Sequence, residues 1–215
     1  MPLSPVDICN IALSRVGVKS RIASLDERSE EARLCNLNYE TVLESLLESS
    51  SWPFATTRAD LVLFESAPNL DWGYRYYLPQ DCVRAQYIDV GGRYPSPLVD
   101  PSMRSGFSSI AMRVPFKIEA TTDGQGKTLL TDQSPATLCY TTRAVPAGLY
   151  PAFFSKALSW ALAAEIAFPL TAMKPELVDM IYRAYTMALA SARSLALNEG
   201  QSDPEQDSEF VTSRY

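Results

Sequence analysis

The chain changes its apolar period twice, and that pattern bounds the fold more tightly than any other feature. Up to about residue 50 apolar side chains recur at the three-and-four spacing of a helix. From Thr56 to Arg143 they fall into short runs rich in β-branched and aromatic residues, punctuated by Pro, Gly and Asp, and from Tyr150 the helical spacing returns. A chain divided this way reads as α+β: two helices, an inserted, mostly antiparallel β domain of about five strands, then two more helices.

Local signals place the elements. Ser4 is a helix N-cap, Pro5 suits the first helical position and Gly17 a C-terminal stop. These predict a first helix over about residues 5–16, with Val6, Cys9, Leu13 and Val16 on one stripe. The connection "VKSRIASLDE" leads to a second helix, in which Ala32, Cys35, Tyr39, Val42 and Leu46 alternate by three and four and Leu43 and Leu47 widen the stripe. Trp52 precedes Pro53 and is pushed out of the helical region, so this helix is expected to reach about Ser50. The strand candidates are "ADLVLF", "DCVRAQYIDV", "PFKIEA", "KTLLT" and "ATLCYTTR".

Helix 3, "PAFFSKALSWALAAEIAF", is apolar nearly all round and is expected to end at Pro169. Helix 4 begins near Pro175 and carries two apolar faces: Leu177, Ile181, Ala184, Ala188, Ala192 and Leu195 on one, Val178, Tyr182, Tyr185 and Leu189 on the other. Two faces call for two packing partners. The expected organisation is a four-helix bundle from residues 1–55 and 147–198, an inserted β domain at 56–146, and a flexible C-terminal tail at 199–215. Trp52-Pro53-Phe54 and Ala144-Val145-Pro146 then form the two crossings between the domains. On this reading Trp52 and Phe54 pin the bundle to the β domain, Pro53 stops helix 2, and Arg58 and Asp60 start the first strand.

Two segments lack periodicity. The stretch 91–115 holds Arg93, Arg104 and Arg113 among prolines and reads as a long loop that meets a partner. The tail is polar and acidic until Phe210, Val211, Arg214 and Tyr215, which form a small hook at its end.

Charge and composition exclude several classes of function. The formal net charge is −6 and the pI about 4.8, which disfavours wrapping of DNA or of an anionic membrane. Cys9, Cys35, Cys82 and Cys139 lie far apart inside apolar segments and read as small buried hydrophobes in a reducing compartment. The N-terminus shows no basic region followed by an apolar core, so synthesis in the cytosol is expected. The run from Ala152 to Phe168 carries Lys156 and Glu165 and is short for a membrane span, so it is expected to be a buried helix.

The chain has no histidine, which removes Ser-His-Asp and Cys-His nucleophile systems and every histidine-dependent metal site. "TDGQGKT" looks like the end of a phosphate-binding loop, but Thr121 stands where the spacing needs glycine and a strand-like "LLT" follows. It reads as a hairpin turn through Asp123-Gly124-Gln125-Gly126. Asp60, Asp81, Asp89 and Glu119 could supply a carboxylate pair for glycan cleavage, or stand as solvated strand and turn positions. Glu40, Glu44 and Glu48 form a stripe down helix 2 that is either a solvated face or one that meets a basic neighbour or lines an acidic passage. Tyr74, Tyr76, Tyr77, Tyr87 and Tyr94 suit an interface as well as a small core. No cofactor, metal or catalytic residue is expected.

Several segments in order resemble the tail tubular protein A family, the head-to-tail adaptors of short-tailed bacteriophages. They are "NIALSRVGVKSRIASLDERSEEARLCNLNYETVLESLLESSSWPFATTRADL", "WGYRYYLPQDCVRAQYI" and "ALSWALAAEIAFPLT". The resemblance runs over about residues 8 to 197. It rests on the ALxxxG opening, SLDExSxxA, WPFAxxRAxL, YxLPxDCxR and ALAAEIAxPLT. It implies a non-enzymatic virion protein of the viral tail, a homo-oligomeric ring of about twelve copies joining the portal protein to the tail nozzle, with tail fibres as a further partner. Genomic DNA would pass through the ring without specific binding. The resemblance also implies that residues 199–215 reach the portal.

Overall fold

A computed structural model describes residues 3–66, 68–89, 114–121, 124, 126–170 and 175–199. The loop arginines Arg93, Arg104 and Arg113 and the tail residues Phe210, Val211, Arg214 and Tyr215 lie outside the described residues. The fold is mixed α+β, with four helices and two small antiparallel sheets. In chain order the elements are α1 (Pro5–Val16), α2 (Glu30–Glu48), β1 (Thr56–Asp60), β2 (Leu63–Ser66), β3 (Tyr74–Tyr77), β4 (Cys82–Asp89), β5 (Phe116–Ala120), β6 (Lys127–Thr131), β7 (Thr137–Thr142), α3 (Ala152–Leu170) and α4 (Pro175–Asn198).

The chain divides into two compact units. The helical unit comprises Met1–Thr57, Asp81–Arg84 and Tyr140–Glu199; the strand unit takes in Arg58–Gln80 and Ala85–Cys139.

Within the helical unit, caps set the ends of α1 and α2. The Ser4 hydroxyl accepts from the Asp7 backbone N–H while the Asp7 carboxylate accepts from the Ser4 N–H, a reciprocal capping box. Gly17, at φ 89°, takes the left-handed turn that ends α1 and returns its N–H to the last turn. Ser29 caps α2 through the Ala32 N–H. Between these helices the loop is pinned by Asn10, whose side-chain amide donates to the Ile22 carbonyl at 3.0 Å and accepts from the Ile22 N–H at 2.9 Å.

Helix α3 packs against α1, α2 and α4, which is why its sequence has no polar face. By length and composition it could cross a membrane, yet Phe154, Leu158, Leu162 and Ile166 are fully buried inside this unit. It runs one residue past Pro169 rather than stopping before it. In the last turn a missing N–H forfeits one hydrogen bond and leaves the rest of the helix intact.

Among the described residues seven strands form where about five were expected. "ADLVLF" divides between β1 and β2, which join different sheets. The Leu61 N–H donates to the Ala136 carbonyl at 2.9 Å, whereas the next residue, Val62, accepts from the Tyr77 N–H at 3.0 Å. A single peptide step changes partners. The second addition is β3, "YRYY", whose tyrosines read in sequence as interface or core residues.

One sheet has the order β1-β7-β4 and the other β2-β3-β6-β5. In the second, Leu63, Tyr76, Leu129 and Ile118 lie in one cross-strand row, and Glu65, Arg75, Leu130 and Lys117 in the next. Thr128 to Thr131 of β6 are buried on both faces, as a central strand requires. The link from β5 to β6 is a tight turn: the Gly124 N–H donates to the Thr121 carbonyl and the Thr121 N–H to the Gly126 carbonyl, both at 2.9 Å. Gly124 has φ 69°, which favours glycine. β5 and β6 therefore pair as a hairpin, and Thr122, Asp123 and Gln125 of the phosphate-loop-like stretch lie outside the described residues.

Candidate functional site

Side chains from several elements converge on the end of α2. Trp52 is fully buried and its indole N–H donates to the Leu46 carbonyl at 2.9 Å, a carbonyl that also accepts from the Ser49 hydroxyl at 2.7 Å, so the buried indole N–H is itself satisfied. Its ring meets Phe154 edge-on with centroids 5.0 Å apart. Phe54 meets the same Phe154 edge-on with centroids 4.7 Å apart and Tyr150 edge-on at 5.8 Å. Pro53 opens a single 3-10 turn over Pro53–Ala55 that aims both rings. The rings of Trp52 and Phe54 thus meet each other, Phe154 of α3 and Tyr150 just before it, all inside the helical unit.

The last turn of α2 contains no basic residue. Two arginines distant in sequence take that role: Arg193 of α4 donates to the Ser49 carbonyl at 3.1 Å and Arg84 of β4 to the Glu48 carbonyl at 3.4 Å. Neither was legible beforehand, because a helix cap supplied from another element leaves no spacing signal.

The stripe Glu40, Glu44 and Glu48 divides into different environments. Glu44 forms an ion pair with Arg143 at 3.0 Å. Glu40 stands near the phenols of Tyr39 and Tyr150, both pushed above the ordinary tyrosine value, first by burial and then by neighbouring negative charge. Tyr150 rises to about 12. The Tyr39 hydroxyl is buried without a hydrogen-bond partner. Glu40 and Glu48 are exposed and Glu44 is half-exposed, so the stripe is a partly neutralised surface.

Each carboxylate considered for glycan cleavage is engaged. Asp60 accepts from the Thr137 hydroxyl at 2.6 Å. Asp81 accepts from Thr142 at 2.6 Å and from Tyr140 at 3.2 Å. Asp89 pairs with Arg58 at 2.9 Å, and Arg58 also donates to the Tyr87 hydroxyl at 3.3 Å. Glu119 lies 2.8 Å from Lys117, whose hydrogen bond holds its carboxyl below the usual range.

Cys9, Cys35 and Cys139 are buried, Cys82 is half-buried, and none is in a disulfide. Cys9 and Cys35 share a hydrogen bond that pushes the Cys9 thiol up and the Cys35 thiol down. Among the described residues no group of three or more Cys, Asp or Glu could hold a metal ion.

Two surfaces remain uncovered in the isolated chain. On α4, Ile181, Ala188, Ala192 and Ala196 are buried while Met180, Tyr182, Met187, Leu195 and Leu197 are exposed. Of the second apolar face read from sequence, Tyr182 is exposed and Val178, Tyr185 and Leu189 are half-covered. In the strand unit, every residue of β2 is exposed, and Val62, Leu70 and Tyr77 extend its apolar surface.

No protein-family model matches the chain, and no curated protein matches it.

Proposed function

We propose that this chain is a structural head-to-tail adaptor of a short-tailed bacteriophage, a ring subunit that joins the portal to the tail nozzle around the DNA exit channel. The ordered set of segments resembling the tail tubular protein A family carries the reading. What those segments do in the fold supports it. Gly17 ends α1, Ser29 caps α2, Trp52 fills the core, Asp81 gathers Tyr140 and Thr142, and Arg84 caps the end of α2. Residues in such posts hold a scaffold together.

In this reading the four helices act as one bundle around α3, and the exposed side of α4 meets a neighbouring subunit. An acidic chain repeated around a ring gives a passage to which DNA phosphates do not adhere. The tail 199–215 docks on the portal through Phe210, Val211, Arg214 and Tyr215, and Arg93, Arg104 and Arg113 meet a second virion partner, the nozzle or fibres. Removing residues 199–215 should weaken binding to purified portal rings while leaving the thermal transition unchanged. Equal affinity with and without the tail would count against its role.

A further inference from the structure

The four-stranded sheet offers two edges, and among the described residues neither β2 nor β5 has a second strand partner. A strand edge with unpaired N–H and C=O groups is a template for another strand unless charge, shortness or cover blunts it. Here the edges differ in chemistry. β2 presents Leu63 and Phe64, each nearly half exposed, with Glu65 beside them. β5 presents Ile118, 39 % exposed, with Lys117 beside it.

Strand direction and side-chain rows make these edges complementary. The four strands alternate in direction, so β2 and β5 run opposite ways. A second sheet laid on in the same orientation meets the first as an antiparallel pair. The bulge between Leu63 and Glu65 keeps Leu63 in the row of Ile118 and Glu65 in the row of Lys117. Continuing those rows into another copy sets Leu63 opposite Ile118 on one face and Glu65 opposite Lys117 on the other. Apolar against apolar and opposite charges across the pair are the combinations that stabilise antiparallel strands.

We propose that β2 of one copy pairs with β5 of the next, extending the sheet from subunit to subunit. The contact is heterologous, so it leaves a free edge at each end until a ring closes. It needs only a second copy of this chain and not a portal, so its success or failure is separate from that of the adaptor reading.

Zero-length carbodiimide coupling of the concentrated full-length chain tests it, with isotopically light and heavy copies mixed. Within one copy Glu65 and Lys117 are three strand spacings apart, about 14 Å, beyond reach of a direct amide link. Lys117 and Glu119, 2.8 Å apart, supply the internal control for reaction. The proposal predicts Glu65–Lys117 linked peptides that pair a light with a heavy segment. Glu65→Lys should abolish self-association in sedimentation, and combining it with Lys117→Glu should restore it. Lys117–Glu119 links without any mixed-isotope Glu65–Lys117 link, or a Glu65→Lys chain that associates as the native one does, would overturn it.

Discussion

Trp52 shows how one side chain can settle two problems at once: it fills the core, and its indole N–H finds a buried acceptor in the Leu46 carbonyl at the end of α2. Trp52→Ala should therefore cost about 3 to 5 kcal/mol, from the cavity together with the lost bond. Denaturant unfolding measures it, and an unshifted midpoint would contradict the assignment. Tyr150 adds a pH signature. Burial first, then Glu40, raise its phenol from 10.0 to about 12, so the fold prefers the neutral form. Its stabilising contribution is whole below 10.0 and is lost as pH rises through about 12. Melting temperature should therefore fall more steeply across that window for the native chain than for Tyr150→Phe, which keeps the ring contacts and cannot ionise. Arg15, which burial lowers to about 10 where its guanidinium lies over Trp160, is common to both chains and drops out of the comparison. Parallel curves would show that the phenol does not feel its burial.

At the scale of elements, α2 and α4 make complementary cases. The C-terminus of α2 depends on arginines from elsewhere, so Arg193→Ala should destabilise the helical unit by about 1 to 2 kcal/mol, with Arg193→Lys recovering part of it. Thermal unfolding of the three chains checks the order. On α4, Met187 is 74 % exposed, and Met187→Gln should leave stability within about 0.5 kcal/mol. If that side faces a neighbouring subunit, the same change should weaken assembly; unchanged assembly would free the face for another role. The helices were legible because their signals are local: Ser4, Pro5 and Gly17 bracket α1 at both ends. The strands were less so, because pairing is set by residues far apart in sequence. Nothing within "ADLVLF" records that Leu61 bonds to Ala136 and Val62 to Tyr77. The glutamate stripe was visible as a spacing of four, but its tie to Arg143 became visible only in the fold.

For the whole molecule, two units with different chemistry divide the work. In the adaptor reading a helical unit organised around α3 supplies rigidity, and a strand unit, in which β2 and β5 have no second strand partner among the described residues, supplies surface. In the proposed function these units build an adaptor ring rather than an enzyme or a lone scaffold. In the proposed adaptor, mixing the purified chain with the portal rings it would join and counting bound subunits by native mass measurement decides the matter. A saturating ring of about twelve copies is expected. A chain that stays monomeric and unbound beside intact portal rings would contradict it.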